Sequence, residues 1–191
     1  MKRLLLVAIC LVTFCAANAQ QTKLALDEHN KYIYYEVVDM AGISADSLHK
    51  NARGFIEHAY PKGKPESPAN YHALIKDKFL TYTPLVKHES GEITYNLNIE
   101  CKDGKYRYWL TDFVFTPYER NRYGMYVPVN GVNVPLETGS PKMTKKELDG
   151  YLDQTNVFCK QLSDRLKKFM VEGRPQARED KPVKKIVTDK W

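Results

Sequence analysis

Polar and apolar positions in this chain alternate, then recur at helical spacing, then alternate again. Between Lys31 and Met40, Ile33, Tyr35 and Val37 interleave with Tyr34, Glu36 and Val38. That β-branched and aromatic content predicts a first strand. Ala41-Gly42 breaks it. Ser44 then supplies an N-cap, Asp46 puts a negative charge in the first turn, and Leu48, Ala52, Phe55, Ile56 and Ala59 fall on one face. A helix over residues 44–60 follows, ended by Pro61. Gly54 weakens it by about 1 kcal/mol relative to alanine and suits close packing on a sheet. A Pro, Gly and Ser loop spans residues 62–70, a second strand is predicted over residues 73–82, and residues 85–91 read as a connection.

The most informative stretch comes next. Ile93, Tyr95, Leu97, Ile99 and Cys101 share one face, and Thr94, Asn96, Asn98 and Glu100 share the other. Asp103-Gly104 is a two-residue hairpin turn. That loop pairs Cys101 with Tyr106, Ile99 with Tyr108 and Leu97 with Leu110 on the core side. Glu100 then faces Arg107, so charge and hydrophobicity favour one register, and a one-residue slip would turn every side chain over. Strict alternation puts Trp109, Phe113 and Phe115 on the polar side, where something must cover or bind them.

Residues 117–143 follow as an aromatic excursion with Tyr118, Tyr123, Tyr126 and a second turn signal, Val129-Asn130-Gly131-Val132. Pro128 and Pro135 cannot donate ladder bonds, which predicts a short edge hairpin. Thr144-Lys145-Lys146-Glu147 is a capping box. Behind it Leu148, Leu152, Thr155, Cys159, Leu162, Leu166 and Phe169 hold one stripe to Gly173, and Pro175 stops the helix. The final stretch, residues 174–191, carries six basic and three acidic side chains. It reads as a loosely held basic tail in which residues 184–188 could add a short strand.

The amino terminus changes the picture of where the protein works. Lys2 and Arg3 precede an apolar run from Leu4 to Phe14, and Ala17-Asn18-Ala19 closes it with small residues. That is the pattern of a secretory signal peptide over residues 1–19. The run is too short to span a bilayer, which takes about 20 apolar residues, and no transmembrane helix is expected in the mature chain. Cys15 raises lipoprotein anchoring as a variant, but bulky Phe14 precedes it and the Ala-Asn-Ala site competes. The expected location is periplasmic or extracellular, with Gln20 as first residue and a single domain over residues 20–173. Loss of Lys2 and Arg3 lowers the net charge from +6 by two, to +4. With part of that excess in the tail, the folded part is nearly neutral and nucleic acid is not the expected partner. Only Cys101 and Cys159 survive cleavage. They read as two buried thiols, with a single bridge as the alternative.

No linear motif supplies chemistry. There is no Gly-x-Ser-x-Gly elbow and no His-Glu-x-x-His pair, and Gly42, Gly54 and Gly91 are too dispersed for a phosphate loop. His49 and His58 lie nine residues apart on opposite sides of their helix; with His29, His72 and His88 they read as surface or locally bonded side chains. No catalytic, metal or cofactor residue is assigned. The aromatic set Trp109, Phe113, Tyr118, Tyr123 and Tyr126 has two readings: a recognition surface, or a second small core under the excursion.

The order strand, helix, antiparallel strands, long helix is a TBP-like arrangement. Asp103-Gly104-Lys105-Tyr106-Arg107-Tyr108, followed by Thr111-Asp112-Phe113, resembles the central signature of an exported Bacteroidota family, domain of unknown function 4468, and Ser44 to Ile56 resembles its first helix. The likeness covers about residues 31–170. It implies an α+β, TBP-like fold: an antiparallel sheet with helices packed on one face, in β-α-β-β-β-α order plus an inserted hairpin. It brings no catalytic residues, and the fold name does not imply DNA binding. The leading functional expectation is a non-enzymatic cell-envelope or periplasmic domain that binds a protein partner. One alternative is small-molecule or glycan binding, with hydrolysis as its catalytic form, in a cleft lined by Asp112 and Arg107. The other is a purely structural envelope protein.

Overall fold

The computed structural model describes residues 24–83, 88–141 and 143–173. The predicted signal peptide, the residue at its cleavage site and the basic tail with its candidate strand lie outside them. The elements are β1 (Ala25–Leu26), β2 (Tyr32–Asp39), α1 (Ala45–Ala59), β3 (His72–Tyr82), β4 (Glu89–Lys102), β5 (Lys105–Arg120), β6 (Tyr126–Pro128), β7 (Val134–Pro135) and α2 (Lys145–Glu172). The sheet is antiparallel in the order β1-β2-β5-β4-β3, with β6 and β7 both added to β5. The helices supply Leu48, Ala52, Phe55, Ile56, Cys159, Leu162, Leu166 and Met170 to a core shared with Ile75, Ile93, Leu97, Ile99, Tyr108 and Leu110. Among the described residues, no helix packs on the other face of the sheet.

The central hairpin has the register its turn dictates: Cys101 opposite Tyr106, Ile99 opposite Tyr108, Leu97 opposite Leu110 and Glu100 opposite Arg107. Gly104 takes φ 74°, the left-handed conformation such a turn requires. Farther along, alternation fails. Asn96 pairs with Thr111 and Thr94 with Val114, so Tyr95 alone faces Asp112 and Phe113. Two residues against one is a β-bulge. Asp112 sits at φ 56°, a conformation that Asp tolerates better than most side chains. The extra residue reverses the parity of β5, and Phe113 and Phe115 turn into the core at 0% and 4% exposure. Both belong to the core and not to the polar side, where strict alternation put them. Trp109, upstream of the bulge, stays on the open face.

Three further expectations are corrected. β4 begins at Glu89, so the last residues of the supposed 85–91 connection are already strand. β5 continues through Pro117 to Arg120 before the excursion leaves it. The inserted hairpin exists, but it joins β5 to β6 across Asn121–Met125. Asn130-Gly131 forms only a tight turn. β7 pairs with Val114 and Phe115 rather than with β6, taking the side of β5 that β2 occupies at the other end. Leu136 follows β7 into the core, its N–H donating to the Phe113 carbonyl. The excursion therefore extends the sheet sideways and does not fold over Trp109.

Both helices are capped as their sequences predict. Ser44 accepts from the Ser47 N–H, and Thr144 and Glu147 form the complete capping box. The α2 stripe buries Thr155, Cys159, Leu162, Leu166 and Phe169, with full burial of each Leu contributing about 1.5–3 kcal/mol. Gly54 faces the Phe169 ring of α2, so its close approach is to the other helix and not to the sheet. No helix among the described residues is long and apolar enough to cross a membrane.

Candidate functional site on the open sheet face

The aromatic residues singled out from the sequence do not converge. Phe113 is core. Tyr118 donates its hydroxyl to Glu92 at 2.8 Å, and Tyr126 stacks on His88 with centroids 4.8 Å apart. Tyr123 is 70% exposed beside Arg122 in the β5–β6 turn. Trp109 is nine residues upstream of Tyr118, roughly 30 Å at the rise of a strand. The set is one core ring, three rings at the far end of β5 and one on the open face.

Around Trp109 the structure assembles a different group. Side chains of β2 alternate, and with Tyr34 and Val38 committed to the helix side, Ile33, Tyr35 and Val37 face outward. Tyr35 lies directly opposite Trp109, and Val37 opposite Arg107. The Met40 N–H donates to Gly104 and the Lys31 carbonyl turns to β1. Even residues of β2 therefore bond to β5, and Tyr35 and Trp109 form a non-hydrogen-bonded pair, the spacing that brings side chains closest. Arg107 lies over the Trp109 ring, 5.4 Å from its centroid, and His72 is 5.5 Å away on another side. Glu100 grips the Arg107 guanidinium through Nε at 2.7 Å and again through its terminal nitrogen. The hydrogen bond that Arg107 donates to Glu100, with a second to Tyr35, raises its pKa against the opposing effect of desolvation.

A cavity of about 470 Å³ opens here, lined by Asp27, Glu28, Ile33, Tyr35, Arg107, Trp109 and Thr111. A second, of about 180 Å³, shares Tyr35 and Arg107 and runs toward Lys102 and Lys105. Below the first, Asp112 accepts from Asn96 Nδ2 at 2.9 Å and pairs with Lys31. The Asp27 carboxylate accepts the N–H groups of His29 and Lys31, both at 2.8 Å. The bond from Lys31 is the largest influence; with the bond from His29 and the nearby positive charges it outweighs desolvation and holds the carboxyl below its usual range. Tyr35 and Val37 were legible as strand residues, but which side of β2 met solvent depends on where the helices pack.

The expected cleft beside the excursion takes another form. A cavity of about 250 Å³ lies between β7, β5 and α2, lined by Phe115, Pro117, Val132, Val134, Met143 and Tyr151, with Ser90 and Glu147 among its polar groups. Neither Arg107 nor Asp112 reaches it.

One polar cluster carried no sequence signal. Between sheet and α2, Glu36 accepts from Tyr34 at 2.6 Å and Tyr108 at 2.7 Å and pairs with Lys167, while the Ser163 hydroxyl lies 2.5 Å from that of Tyr108. Burial and the bond to Glu36 push Tyr34 up to about 12. Cys101 and Cys159 are both free and buried, and burial lifts the Cys101 thiol to about 12. Thiols so raised are poor nucleophiles.

Residues 34–116 match the family model described as "Domain of unknown function (DUF4468) with TBP-like fold". A crystal structure of a TBP-like protein from Parabacteroides distasonis ATCC 8503 superposes with a TM-score of 0.62 at 16% identity, covering 78% of this chain and 98% of that one. A DUF4468 family protein from Bacteroides ovatus ATCC 8483 gives a TM-score of 0.54 at 11% identity, covering 82% of this chain and 94% of that one. No curated protein matches the sequence. At these identities the likeness to the solved structures is one of fold. Over residues 34–116, then, the chain matches the DUF4468 domain of unknown function, and its architecture is TBP-like.

Proposed function

We propose that this chain is an exported, non-enzymatic domain that binds a protein partner through the open face of its sheet. Export rests on the amino-terminal pattern of residues 1–19. The observation that carries the binding half is the Tyr35–Trp109 pair, set on the face opposite α1 and α2 beside Val37 and Arg107, with Tyr35 at 50% and Val37 at 52% exposure. Aromatic and arginine side chains held rigidly on an accessible surface are the usual anchors of protein recognition. The anchors here are Trp109 and Tyr35; Phe113 is withdrawn, and Tyr118, Tyr123 and Tyr126 stand apart. Nucleic acid fits poorly at the anchors themselves, because the two cations beside them are spent on carboxylates, Lys31 on Asp112 and Arg107 on Glu100.

A photo-reactive amino acid placed at Val37 in the native envelope tests the reading. A discrete cross-linked protein that disappears in the Tyr35→Ala/Trp109→Ala background supports it. The same cross-link in both backgrounds removes the contact assignment.

A further inference from the structure

We infer that the groove around Tyr35 and Trp109 takes a cationic side chain, lysine or arginine, from an extended segment of the partner. The inference rests on the open face being the binding surface and names the chemistry that surface selects. Its basis is the charge left over when every ion pair around the groove is cancelled. Arg107 is neutralised by Glu100, and Lys31 by Asp112. What remains on the lining is Asp27 and Glu28. Asp27 is held ionised by the two backbone N–H groups it accepts, so its charge is fixed in place by the β1–β2 turn. Glu28 faces solvent with 84% of its side chain exposed, and among the described residues its ion-pair neighbour is His29, at 3.9 Å. Two carboxylates thus stand at the rim of a cavity floored by a tryptophan and a tyrosine.

Those parts have complementary uses. Aromatic rings attract a cation through the negative face of the ring, by about 0.5–2 kcal/mol depending on how far the site is desolvated. Carboxylates alone bind a cation weakly in water, and aromatic faces alone do not discriminate charge; together they select a cation with an apolar stem. Arg107 and His72 already contact the Trp109 ring, so the incoming group meets chiefly the exposed Tyr35 ring beside it. Toward the other end the groove turns basic at Lys102 and Lys105, which sets a direction: the partner's cation lies at the Glu28 end.

The test uses the mature chain, residues 20–191, isotope-labelled for NMR. Three capped peptides serve as probes: Gly-Arg-Gly-Arg-Gly, the same peptide with citrulline for arginine, and the same with glutamate. The arginine peptide is expected to shift the Trp109 indole N–H and the Tyr35 amide. Glu28→Gln, which touches no loop hydrogen bond, should weaken it about threefold or more, with the effect shrinking as salt rises. Equal shifts from the citrulline or glutamate peptide overturn the cation assignment while leaving the open face a binding surface. No shift at either residue with any of the three overturns both. A peptide of residues 174–191 that binds the groove more tightly than the arginine peptide overturns the partner in favour of the chain's own basic tail.

Discussion

Trp109 and Phe113 leave β5 four residues apart and point to opposite faces of the sheet, because Asp112 at φ 56° inserts one extra residue between them. That residue divides a strand of aromatics into a surface part and a core part. Its side chain is anchored on the open face by Asn96 and Lys31.

The bulge should be sensitive to the shape of residue 112 more than to its charge. Asp112→Val forces a β-branched side chain into the left-handed region and removes both anchors, and should destabilise by about 2–3 kcal/mol. Asp112→Gly loses the same anchors but relieves the backbone, and should cost less than about 1 kcal/mol. Urea unfolding of the two variants decides it; equal losses would mean that the anchors and not the backbone dominate.

Glu36 should give the protein an acid-sensitive component. Burial raises its pKa, but bonds from Lys167, Tyr108 and Tyr34 outweigh that and hold it below the ordinary 4.5. A carboxyl depressed in the folded state stabilises fully above its unfolded pKa, and the contribution disappears as pH falls through the folded value. Glu36→Gln should therefore lose stability at pH 7 and show a shallower decline below about pH 4.5 than the parent. Thermal unfolding across pH 3–7 measures this, and parallel curves for the two proteins would contradict it.

Two glycines should respond in opposite directions. A methyl group on Gly91 would run into the Thr116 carbonyl and the Phe115 ring, where β4 and β5 approach closely. Gly91→Ala should cost about 2–4 kcal/mol through overpacking. Gly150, inside α2, has nothing within 4 Å of the corresponding position, and Gly150→Ala should stabilise by about 0.5–1 kcal/mol. Calorimetric melting temperatures of both variants check the signs.

The outer edge of β3 should depend on its lysines to remain unpaired. Leu74 exchanges backbone bonds with Glu66, and the Gln154 side-chain amide bonds both the N–H and the carbonyl of Tyr82. Among the described residues, the edge-facing backbone groups of Lys76, Lys78 and Leu80 lie between those two closures. An exposed lysine on an edge strand discourages pairing with another chain. Lys76→Ile should produce concentration-dependent association in sedimentation velocity, while Lys78→Ile should instead destabilise the fold, because it strips the buried Glu92 of its ion pair at 2.7 Å. A monomeric Lys76→Ile protein at high concentration would remove the edge from consideration.

Local patterning carries most of this architecture. Ser44 and Thr144 mark helix starts because their caps are satisfied within three residues, and Asp103-Gly104 sets the central register because a two-residue loop leaves no freedom to slip. The α2 stripe is visible for the same reason: helix periodicity is a property of neighbours in sequence. The candidate site was less legible. Trp109 stood out by its position in an alternating strand, but Phe113 and Phe115 were misplaced because a bulge changes parity without leaving a Gly or Pro as its mark. Tyr35 could not be told from Tyr34, since a strand with apolar residues at odd and even positions has no preferred face until helices cover one of them.

From sequence alone the chain determines its elements, its caps and the turn that registers its central strands. All of these depend on residues a few positions apart. Packing in three dimensions assigns the faces: α1 and α2 cover Tyr34 and leave Tyr35 open, Asp112 sends Phe113 inward, and β7 lies beside β5 instead of over Trp109. Those outcomes depend on contacts between segments tens of residues apart, where burial of apolar area and satisfaction of backbone hydrogen bonds are settled together and no local pattern records the result.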